Sequence, residues 1–326
     1  MKAENQPKPK KREDLGAYGN KTSESRLFRG AQDLQFMIDL VLRVRPARRI
    51  TDYPSPEDLR EVLSLAEVRR YTRLWFDAEE QPTGFAFVDQ SNNLCFDFDR
   101  QRAGPGIEGE MVTWGEQCLR DRMAEGGNRI TLDASCREDD REKVAFLEDC
   151  GFRRQNLRTL HLLRSLDQPI PEPRLPEGFS VRVVEGEHEA AALVELHRAA
   201  FGTEEMTVEE RLAMMRVPGY NREMDLLVVA PDGRLAAYCL CSISEEENER
   251  TGRKAGYTDP VATRPEYRRL GLAKALLLTG LRALKARGMD TAALGTSSEN
   301  ESMLKAAESV GFRIESSWLW YAKVVE

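Results

Sequence analysis

One short loop of the sequence combines arginines with small residues at a spacing that suits a phosphate group. It spans Arg268–Ala273 and joins a predicted strand ending at Thr263 to a predicted helix beginning at Leu272. A helix N-terminus offers unpaired backbone N–H groups and the positive end of the helix dipole. Small residues at Gly271 and Ala273 let a pyrophosphate approach that backbone closely, and the arginines add charge. The pattern Arg-x-x-Gly-x-Ala is common by itself, so its position between a strand and a helix carries the interpretation.

Other reactive side chains give weaker signals. Cys239 and Cys241 place two thiols on one face of a predicted strand, where buried small hydrophobic side chains are the preferred interpretation. His188 and His197 fall on a predicted helix, and surface or capping roles are preferred there over catalysis. The six cysteines include no Cys-x-x-Cys pair, and the chain has only three histidines. The sequence therefore gives poor support for a zinc site or a disulfide framework, and we expect no metal.

Length and charge limit the class of protein. The chain has 326 residues, which suggests about two domains, and 41% of them are hydrophobic, as in globular proteins. Lys plus Arg number 48 against 55 Asp plus Glu, and the net charge of −7 disfavours a nucleic-acid partner. No apolar run approaches the roughly 18 residues of a membrane span, and Met1–Ser25 lacks an apolar signal core. These features predict a reduced, cytoplasmic protein without a membrane partner, and they leave its oligomeric state open.

The chain divides into two halves of similar length. Residues 1–25 are polar and without periodicity, which predicts a flexible tail. Residues 166–178 contain four prolines, which favour an extended linker. The predicted domains are therefore residues 26–165 and residues 179–326.

A short repeat relates the two halves. Glu148–Arg153 and Glu308–Arg313 share the pattern Glu-x-x-Gly-Phe-Arg at an offset of 160 positions. Each copy ends a predicted helix with glycine at the left-handed cap position, and each precedes an apolar run. We interpret the halves as two divergent copies of one fold.

The second copy has the clearer pattern of elements. Hydrophobic periodicity, a capping box at Thr207 and the turn signal Pro231–Gly233 delimit its helices and strands. Strands are predicted at residues 179–184, 225–230, 234–244, 254–263, 291–295 and 315–325, and the main helices at 187–201, 272–287 and 300–310. Antiparallel strands followed by a strand–helix–strand crossover imply a mixed sheet with helices packed on it.

Together these features make the second half similar to the GNAT family of N-acetyltransferases. The resemblance rests on Val261–Pro265, on the loop Arg268–Ala273, and on Asn300 followed by Gly311 and Phe312. The first half matches only in layout, so the whole chain resembles tandem GNAT proteins of the mycothiol synthase type. The resemblance implies an α+β protein of two tandem GNAT folds, each a mixed, mostly antiparallel twisted sheet flanked by helices.

The same resemblance implies a donor and its binding residues. The donor is acetyl-CoA, whose pyrophosphate meets the loop amides of Arg269, Leu270, Gly271, Leu272 and Ala273, with Arg268 and Asn300 also in the cofactor-binding set. The pantetheine arm pairs with the backbone of Val261, Ala262 and Thr263 like an added strand. Direct attack of the acceptor in a ternary complex is implied.

The acid–base groups follow from that chemistry. An amine must be neutral to attack, so a base must take a proton from its ammonium form. Asp259 lies on the strand of Val261 and Thr263 and is the candidate catalytic base; the alternative is a carboxylate that caps local N–H groups. Pro260 marks either a bulge that splays this strand or an edge-strand proline. The second-choice bases, Glu245–Glu247, are better interpreted as a solvated hairpin tip.

Two departures from the family pattern stand out. Ala307 occupies the position of the usual tyrosine acid, and Tyr321 or Tyr257 either replaces it or packs in the core. In the first half, the loop Gln101–Gly106 repeats the phosphate-binding pattern but Pro105 removes one backbone donor. We interpret the first half as a degenerate copy that shapes the acceptor cleft.

The sequence therefore predicts an N-acetyltransferase that acts on a small-molecule or peptide amine, with its chemistry in the second half. The alternative is a non-catalytic acyl-CoA-binding regulator, which Ala307 and the degenerate first half would suit. The acceptor itself is not specified by the sequence.

Overall fold

The computed structural model describes residues 24–126, 131–204, 206–217 and 219–326. The first half contains six strands and five helices within these ranges. In chain order they are β1 (Glu24–Leu27), α1 (Ala31–Val44), α2 (Pro56–Val62), α3 (Ala66–Arg70), β2 (Thr72–Phe76), β3 (Pro82–Val88), β4 (Leu94–Phe98), α4 (Ile107–Ala124), β5 (Thr131–Arg137), α5 (Arg141–Asp149) and β6 (Arg153–Ser165).

The second half follows the predicted order of elements. They are β7 (Ser180–Val183), α6 (Ala190–Phe201), α7 (Val208–Arg216), β8 (Asp225–Val229), β9 (Leu235–Leu240), α8 (Glu245–Thr251), β10 (Ala255–Tyr257), β11 (Val261–Thr263), α9 (Leu272–Ala286), β12 (Thr291–Ser297), α10 (Glu301–Ser309) and β13 (Arg313–Val324). The capping box predicted at Thr207 is present, with Glu210 as its reciprocal partner.

Three sheets organise the chain. One four-stranded sheet has the order β1-β2-β3-β4, and another has the order β11-β9-β8-β7. A five-stranded sheet with the order β10-β12-β6-β13-β5 joins the halves, and within it only β10 and β12 are parallel. β6 of the first half therefore lies between β12 and β13 of the second, while β13 pairs with β5 of the first. The halves exchange their last strands.

The hydrophobic cores follow this exchange. Leu160 and Leu162 of β6 are buried in the core of the second half. Leu319 and Tyr321 of β13 are buried in the core of the first half. Each half thus completes its core with side chains from the other, and burial of such side chains is the main stabilising contribution to folding.

The Gly-Phe repeat has the same structural role in both halves. Gly151 and Gly311 adopt the left-handed conformation at the ends of α5 and α10, with φ of +84° and +97°. Phe152 and Phe312, which follow them, are each almost completely buried. Asp140 and Asn300 cap the N-termini of the same two helices with their side chains.

Some predicted elements differ from the structure. The single strand predicted at 254–263 is divided into β10 and β11, which lie in different sheets. Glu245–Glu247 begin helix α8 and are not a hairpin tip, because Ser244 caps that helix. The predicted tail lies outside the described residues except for Glu24 and Ser25, which belong to β1. None of the helices in the described ranges is long and apolar enough to cross a membrane.

Candidate functional site

The predicted phosphate loop forms an open cradle before helix α9. Arg269 and Gly271 both have positive φ, +64° and +80°, so the chain turns sharply twice before Leu272 begins the helix. No atom lies within 4 Å of the position that a Cβ on Gly271 would occupy. The amide of Ala275 is the first to bond back, to the carbonyl of Gly271 at 3.0 Å. The N–H groups before it lack intrahelical partners, and the first turn of α9 contains no acidic residue.

The charged side chains around the cradle divide into two kinds. Arg268 is committed to the protein, because its guanidinium donates to the carbonyl of Ala200 at 2.6 Å and to that of Thr263 at 3.5 Å. Arg269 is exposed and makes no ion pair within the described part of the chain. Lys274, which the sequence reasoning missed, is also exposed and lies in the first turn of α9. Of the remaining predicted residues, Leu270 is exposed, whereas Leu272 buries its side chain in the core.

Strand β11 presents a free edge to the same region. It pairs with β9 on one side, and β9 is its only neighbour among the strands that the structure describes. The amide of Leu240 bonds Pro260 and the amide of Arg264 bonds Ala236, so even-numbered residues of β11 face β9. Antiparallel strands alternate, and the backbone groups of Val261 and Thr263 therefore face the free edge. The backbone of Ala262 faces β9.

This free edge suits an extended polar chain. The hydroxyl of Thr263 is buried and has no hydrogen-bond partner in the described part of the chain. A ligand that supplies the missing hydrogen-bond partner of such a buried hydroxyl stabilises the complex. The cradle and the edge together fit a molecule with a pyrophosphate at one end and an amide-containing arm at the other, as acetyl-CoA has.

Asp259 lies where β10 and β11 diverge. Its Oδ2 accepts a 3.1 Å hydrogen bond from the amide of Gly295 on β12, across the gap between the strands. Its Oδ1 is buried without a hydrogen-bond partner among the described residues. Burial raises the pKa of Asp259 to about 6, and the Gly295 amide opposes that shift. A carboxyl group with this pKa is half-ionised at about pH 6 and mostly ionised at neutral pH, where it can accept a proton.

A cavity of about 570 Å³ opens beside Asp259, between the two halves. Its wall from the first half includes the start of α2, and its wall from the second half includes α8, β10 and β12. Two tryptophans of the exchanged strand β13, Trp318 and Trp320, also line it. Its six acidic residues come from both halves: Glu57, Asp58, Glu61, Asp89, Glu247 and Asp259.

Glu247 is the functional candidate that sequence reasoning ranked too low. It is only 2% exposed, and its Oε2 accepts a 2.8 Å hydrogen bond from the hydroxyl of Tyr257. Its Oε1 is buried and is not within hydrogen-bond distance of any partner in the described residues, and the hydroxyls of Ser55 and Tyr257 stabilise the charged form. Burial raises the pKa of Glu247 to about 7. The interpretation of Glu245–Glu247 as a solvated tip is therefore wrong for Glu247.

The three residues considered for the general acid, or for its usual position, lie in different parts of the structure. Ala307 is completely buried in the core of the second half and does not line the cavity, so the empty tyrosine position opens no space there. Tyr321 is buried in the first half, with its hydroxyl 3.4 Å from Glu148. Tyr257 lines the cavity, and burial and Glu247 raise its pKa above the ordinary value.

Three further predictions concern residues outside the cradle. Asn300 uses its side-chain oxygen to cap α10, accepting from the amide of Met303 at 3.1 Å. Cys239 and Cys241 are completely buried, with their sulfur atoms 3.7 Å apart. His197 is occupied by a 2.7 Å hydrogen bond to Tyr238.

The corresponding loop of the first half has similar geometry and opposite charge. Gly106 precedes α4 with φ of +89° and open space at its Cβ position, like Gly271. The first turn of α4, however, contains Glu108 and Glu110, which disfavour an anion at that helix N-terminus. Pro105 also removes one amide donor.

Comparison with known proteins also points to the part of the chain that contains the cradle and β11. The profile of the Acetyltransferase (GNAT) family matches residues 190–312. The chain is 27% identical over 244 residues to a mycothiol acetyltransferase of Thermobispora bispora, which covers 73% of this chain and 79% of that protein. It is 30% identical over 167 residues to a mycothiol acetyltransferase of Streptomyces coelicolor, which covers 49% of this chain and 52% of that protein. The chain thus spans about half the length of the second relative.

Solved structures show the same fold over nearly the whole chain. A GCN5-related N-acetyltransferase from Sphaerobacter thermophilus superposes with a TM-score of 0.68 at 22% identity, covering 93% of this chain and 96% of that chain. A tandem GNAT protein from the clavulanic acid biosynthesis pathway superposes with a TM-score of 0.66 at 17% identity. The match covers 93% of this chain and 99% of that chain. The predicted fold class is therefore confirmed.

Proposed function

We propose that this chain, an acetyl-CoA-dependent N-acetyltransferase of the GNAT family, acetylates a primary amine of a small molecule bound in the cavity between its halves. The observation that carries this proposal is the position of Asp259. Its carboxylate stands at the divergence of β10 and β11 and lines the cavity, with a pKa raised to about 6 by burial. This position between the free edge of β11 and the cavity supports the assignment of Asp259 as the base.

Backbone amides and exposed basic side chains hold the acetyl-CoA donor. The amides at the start of α9, with Arg269 and Lys274, hold the pyrophosphate, and the backbone of Val261 and Thr263 aligns the arm. Arg268 fixes the loop through its bonds to Ala200 and Thr263. When bound, acetyl-CoA supplies the acetyl group as a thioester.

Asp259 performs the proton transfer in this proposal. The acidic cavity attracts the ammonium form of the acceptor, which cannot attack until it loses a proton. Asp259 accepts that proton at Oδ1, directly or through a water, while the Gly295 amide holds Oδ2 in place. Positioned acid–base groups of this kind typically contribute about 10²–10⁴-fold to the rate.

Departure of the CoA thiolate requires less acid–base catalysis than deprotonation of the amine. A thiol has an ordinary pKa near 8.5, so a thiolate departs without full protonation. Ala307 cannot donate a proton, and of the two tyrosines considered in its place, Tyr321 and Tyr257, it is Tyr257 that lines the cavity. Its raised pKa keeps its hydroxyl protonated at neutral pH.

The cavity supports a small-molecule acceptor over a folded protein. Its volume of about 570 Å³ falls in the usual range of small-ligand sites, roughly 300–1,000 Å³. Relatives named mycothiol acetyltransferase point to the same kind of acceptor. A non-catalytic regulator is not favoured, because such a protein has no need for a buried carboxylate beside the donor edge.

Release of the CoA thiol across a panel of amines tests the function. We expect thiol release that depends on the amine, with mass spectrometry showing one added acetyl group on the acceptor. Binding of CoA without thiol release for any amine would instead favour the regulator.

A further inference from the structure

The acidic residues of the cavity are not balanced by bases in its wall. Six carboxyl groups line it, and no lysine or arginine does among the described residues. The single histidine in the wall, His161, is neutral at physiological pH because burial and Arg137 lower its pKa to about 4. A ligand that fills this cavity therefore meets negative charge and no compensating positive side chain.

Half of these carboxyl groups already have partners. Glu57 pairs with Arg60 at 3.4 Å, and Asp58 accepts the amide of Ser55 at 2.8 Å in the capping box of α2. Asp89 accepts two hydrogen bonds from Asn93. These three groups hold the local structure and need no ligand.

The other three have unmet acceptor capacity. Asp259 and Glu247 each have one buried carboxylate oxygen without a hydrogen-bond partner in the described residues. The carboxylate of Glu61, which is partly exposed, has no hydrogen bond or ion pair in the described part of the chain.

Glu247 makes the charge imbalance costly. Glu247 is only 2% exposed, so its ionised form loses its hydration and requires a cation or hydrogen-bond donors in exchange. Tyr257 satisfies one oxygen, and the other is buried without a hydrogen-bond partner among the described residues. The pKa values of Glu247 and Glu61 both rise to about 7, through burial and through repulsion from Asp58 and Glu57. One ammonium group at Asp259 leaves the ionised form of Glu247 unbalanced.

We propose that the acceptor carries two ammonium groups, one presented to Asp259 for acetylation and the other bound by Glu247, whose Oε1 is buried without a hydrogen-bond partner in the described residues. This inference rests on the proposed function and adds the class of substrate: a small diamine or polyamine. Asp259 and Glu247 line the same cavity, so one small ligand in it can contact both carboxylates.

The first test compares matched acceptors. Thiol release is measured with 1,4-diaminobutane and with butylamine, which has the same chain length and one charge. We expect kcat/KM to be at least about tenfold higher for the diamine, the change that about 1.4 kcal/mol of added binding gives. Equal use of the two amines, or preference for butylamine, overturns the proposal.

The second test removes the buried charge. Glu247→Gln keeps the shape and still accepts from Tyr257, so we expect the ratio of kcat/KM for the diamine to kcat/KM for butylamine to fall at least about tenfold. The control is Glu249→Gln, because Glu249 is an exposed glutamate of the same helix outside the cavity wall. A Glu247→Gln variant that keeps the full preference for the diamine contradicts the proposal.

A binding measurement separates this inference from the proposed function. Calorimetric titration of 1,4-diaminobutane into the CoA-bound protein needs no turnover. Binding that is lost in Glu247→Gln and kept in Glu249→Gln supports the dicationic site even if no amine is acetylated, in which case the catalytic proposal alone fails. Binding that is equal in the two variants overturns the site.

Discussion

The hydroxyl of Tyr257 donates a 2.8 Å hydrogen bond to Oε2 of Glu247, joining the end of β10 to helix α8. Asn248, the next residue of the helix, exchanges two 2.8 Å hydrogen bonds with the backbone of Ala255. α8 is thus fastened side by side to β10, immediately before the strand diverges at Asp259. The two carboxylates with a free buried oxygen are held by one rigid unit.

Removing the Tyr257 hydroxyl should therefore destabilise the protein in a pH-dependent manner. In Tyr257→Phe, Oε2 of Glu247 loses its donor, and an unsatisfied buried acceptor costs about 1–3 kcal/mol. We expect this loss in the free energy of unfolding at pH 8, where Glu247 is ionised, and a smaller loss at pH 5.5, where it is protonated. Urea unfolding at the two pH values measures the difference.

Tyr321→Phe is the matched control for that change. Its hydroxyl is also buried, but its contact with Glu148 is longer, at 3.4 Å, and Glu148 is exposed to water. We expect a smaller cost with little pH dependence. A Tyr257→Phe variant with equal losses at both pH values would show that the hydroxyl does not serve the Glu247 carboxylate.

The wild-type protein itself should lose stability as the pH rises from 6.5 to 8. Glu61 and Glu247 have folded-state pKa values of about 7, above the ordinary 4.5. In this window the unfolded chain has already released both protons, so raising the pH removes them only from the folded state. Burial then penalises the new charges. His161 acts in the opposite direction, but mainly below pH 6.5, its ordinary pKa.

Calorimetric melting temperatures at pH 6.5 and pH 8 check this expectation. The melting temperature should fall across the window in the wild type and fall less in Glu247→Gln, which has no proton to lose. A rising melting temperature, or an equal fall in the variant, contradicts the assignment of a buried ionisable Glu247.

Asp259→Asn tests the base. The substitution keeps the shape and removes the proton acceptor, so kcat should fall about 10²-fold or more while CoA affinity changes little. In the wild type, kcat/KM should decrease below about pH 6 as Asp259 becomes protonated. Steady-state rates across pH 5–8 measure both effects. Full turnover by the variant at neutral pH would return Asp259 to a structural role.

The phosphate cradle and its degenerate counterpart allow a paired test. Gly271→Glu and Gly106→Glu place the same side chain on a glycine of positive φ with open space at the Cβ position, so the backbone strain is similar. Only Gly271→Glu should set a carboxylate against a bound pyrophosphate. We expect CoA affinity to fall at least about tenfold in that variant alone, with one CoA per chain in Gly106→Glu by calorimetry. Equal effects of the two changes would contradict a single donor site.

The parts of this structure that the sequence predicts are those that depend on near neighbours. The cradle before α9 and the glycine caps of α5 and α10 are local backbone geometries, and small residues at those positions indicate them directly. Pro260 likewise predicts an interruption of its strand, and the structure shows β10 and β11 diverging there.

The burial of Glu247 could not be predicted in this manner. Three consecutive glutamates suggest solvent exposure, because nothing in their own segment covers them. Ser55, which caps α2, and the residues of α2 that line the facing wall are almost 200 positions away. A local pattern contains no information about a wall that the other half of the chain supplies.

The sequence pattern also does not predict that the two halves exchange their last strands. An apolar strand such as β6 does not specify its neighbour, since several partners can satisfy its backbone and cover its face. In the structure β6 pairs with β12 and β13 of the second half, and β13 pairs with β5 of the first. Residues 179–326 alone would therefore leave a gap between β12 and β13 and expose Leu319 and Tyr321.

We expect neither residues 24–165 nor residues 179–326 to fold when produced alone, although the Pro-rich linker between them looks like a domain boundary. Each fragment would expose strand edges and apolar side chains that the other covers, which promotes aggregation. Produced together, the two fragments should assemble into a complex that binds CoA, because the linker contributes to neither exchanged strand pairing. Size-exclusion chromatography with circular dichroism distinguishes the cases. A second half that is monomeric, cooperatively folded and able to bind CoA alone would show that the exchanged strands are not needed for folding.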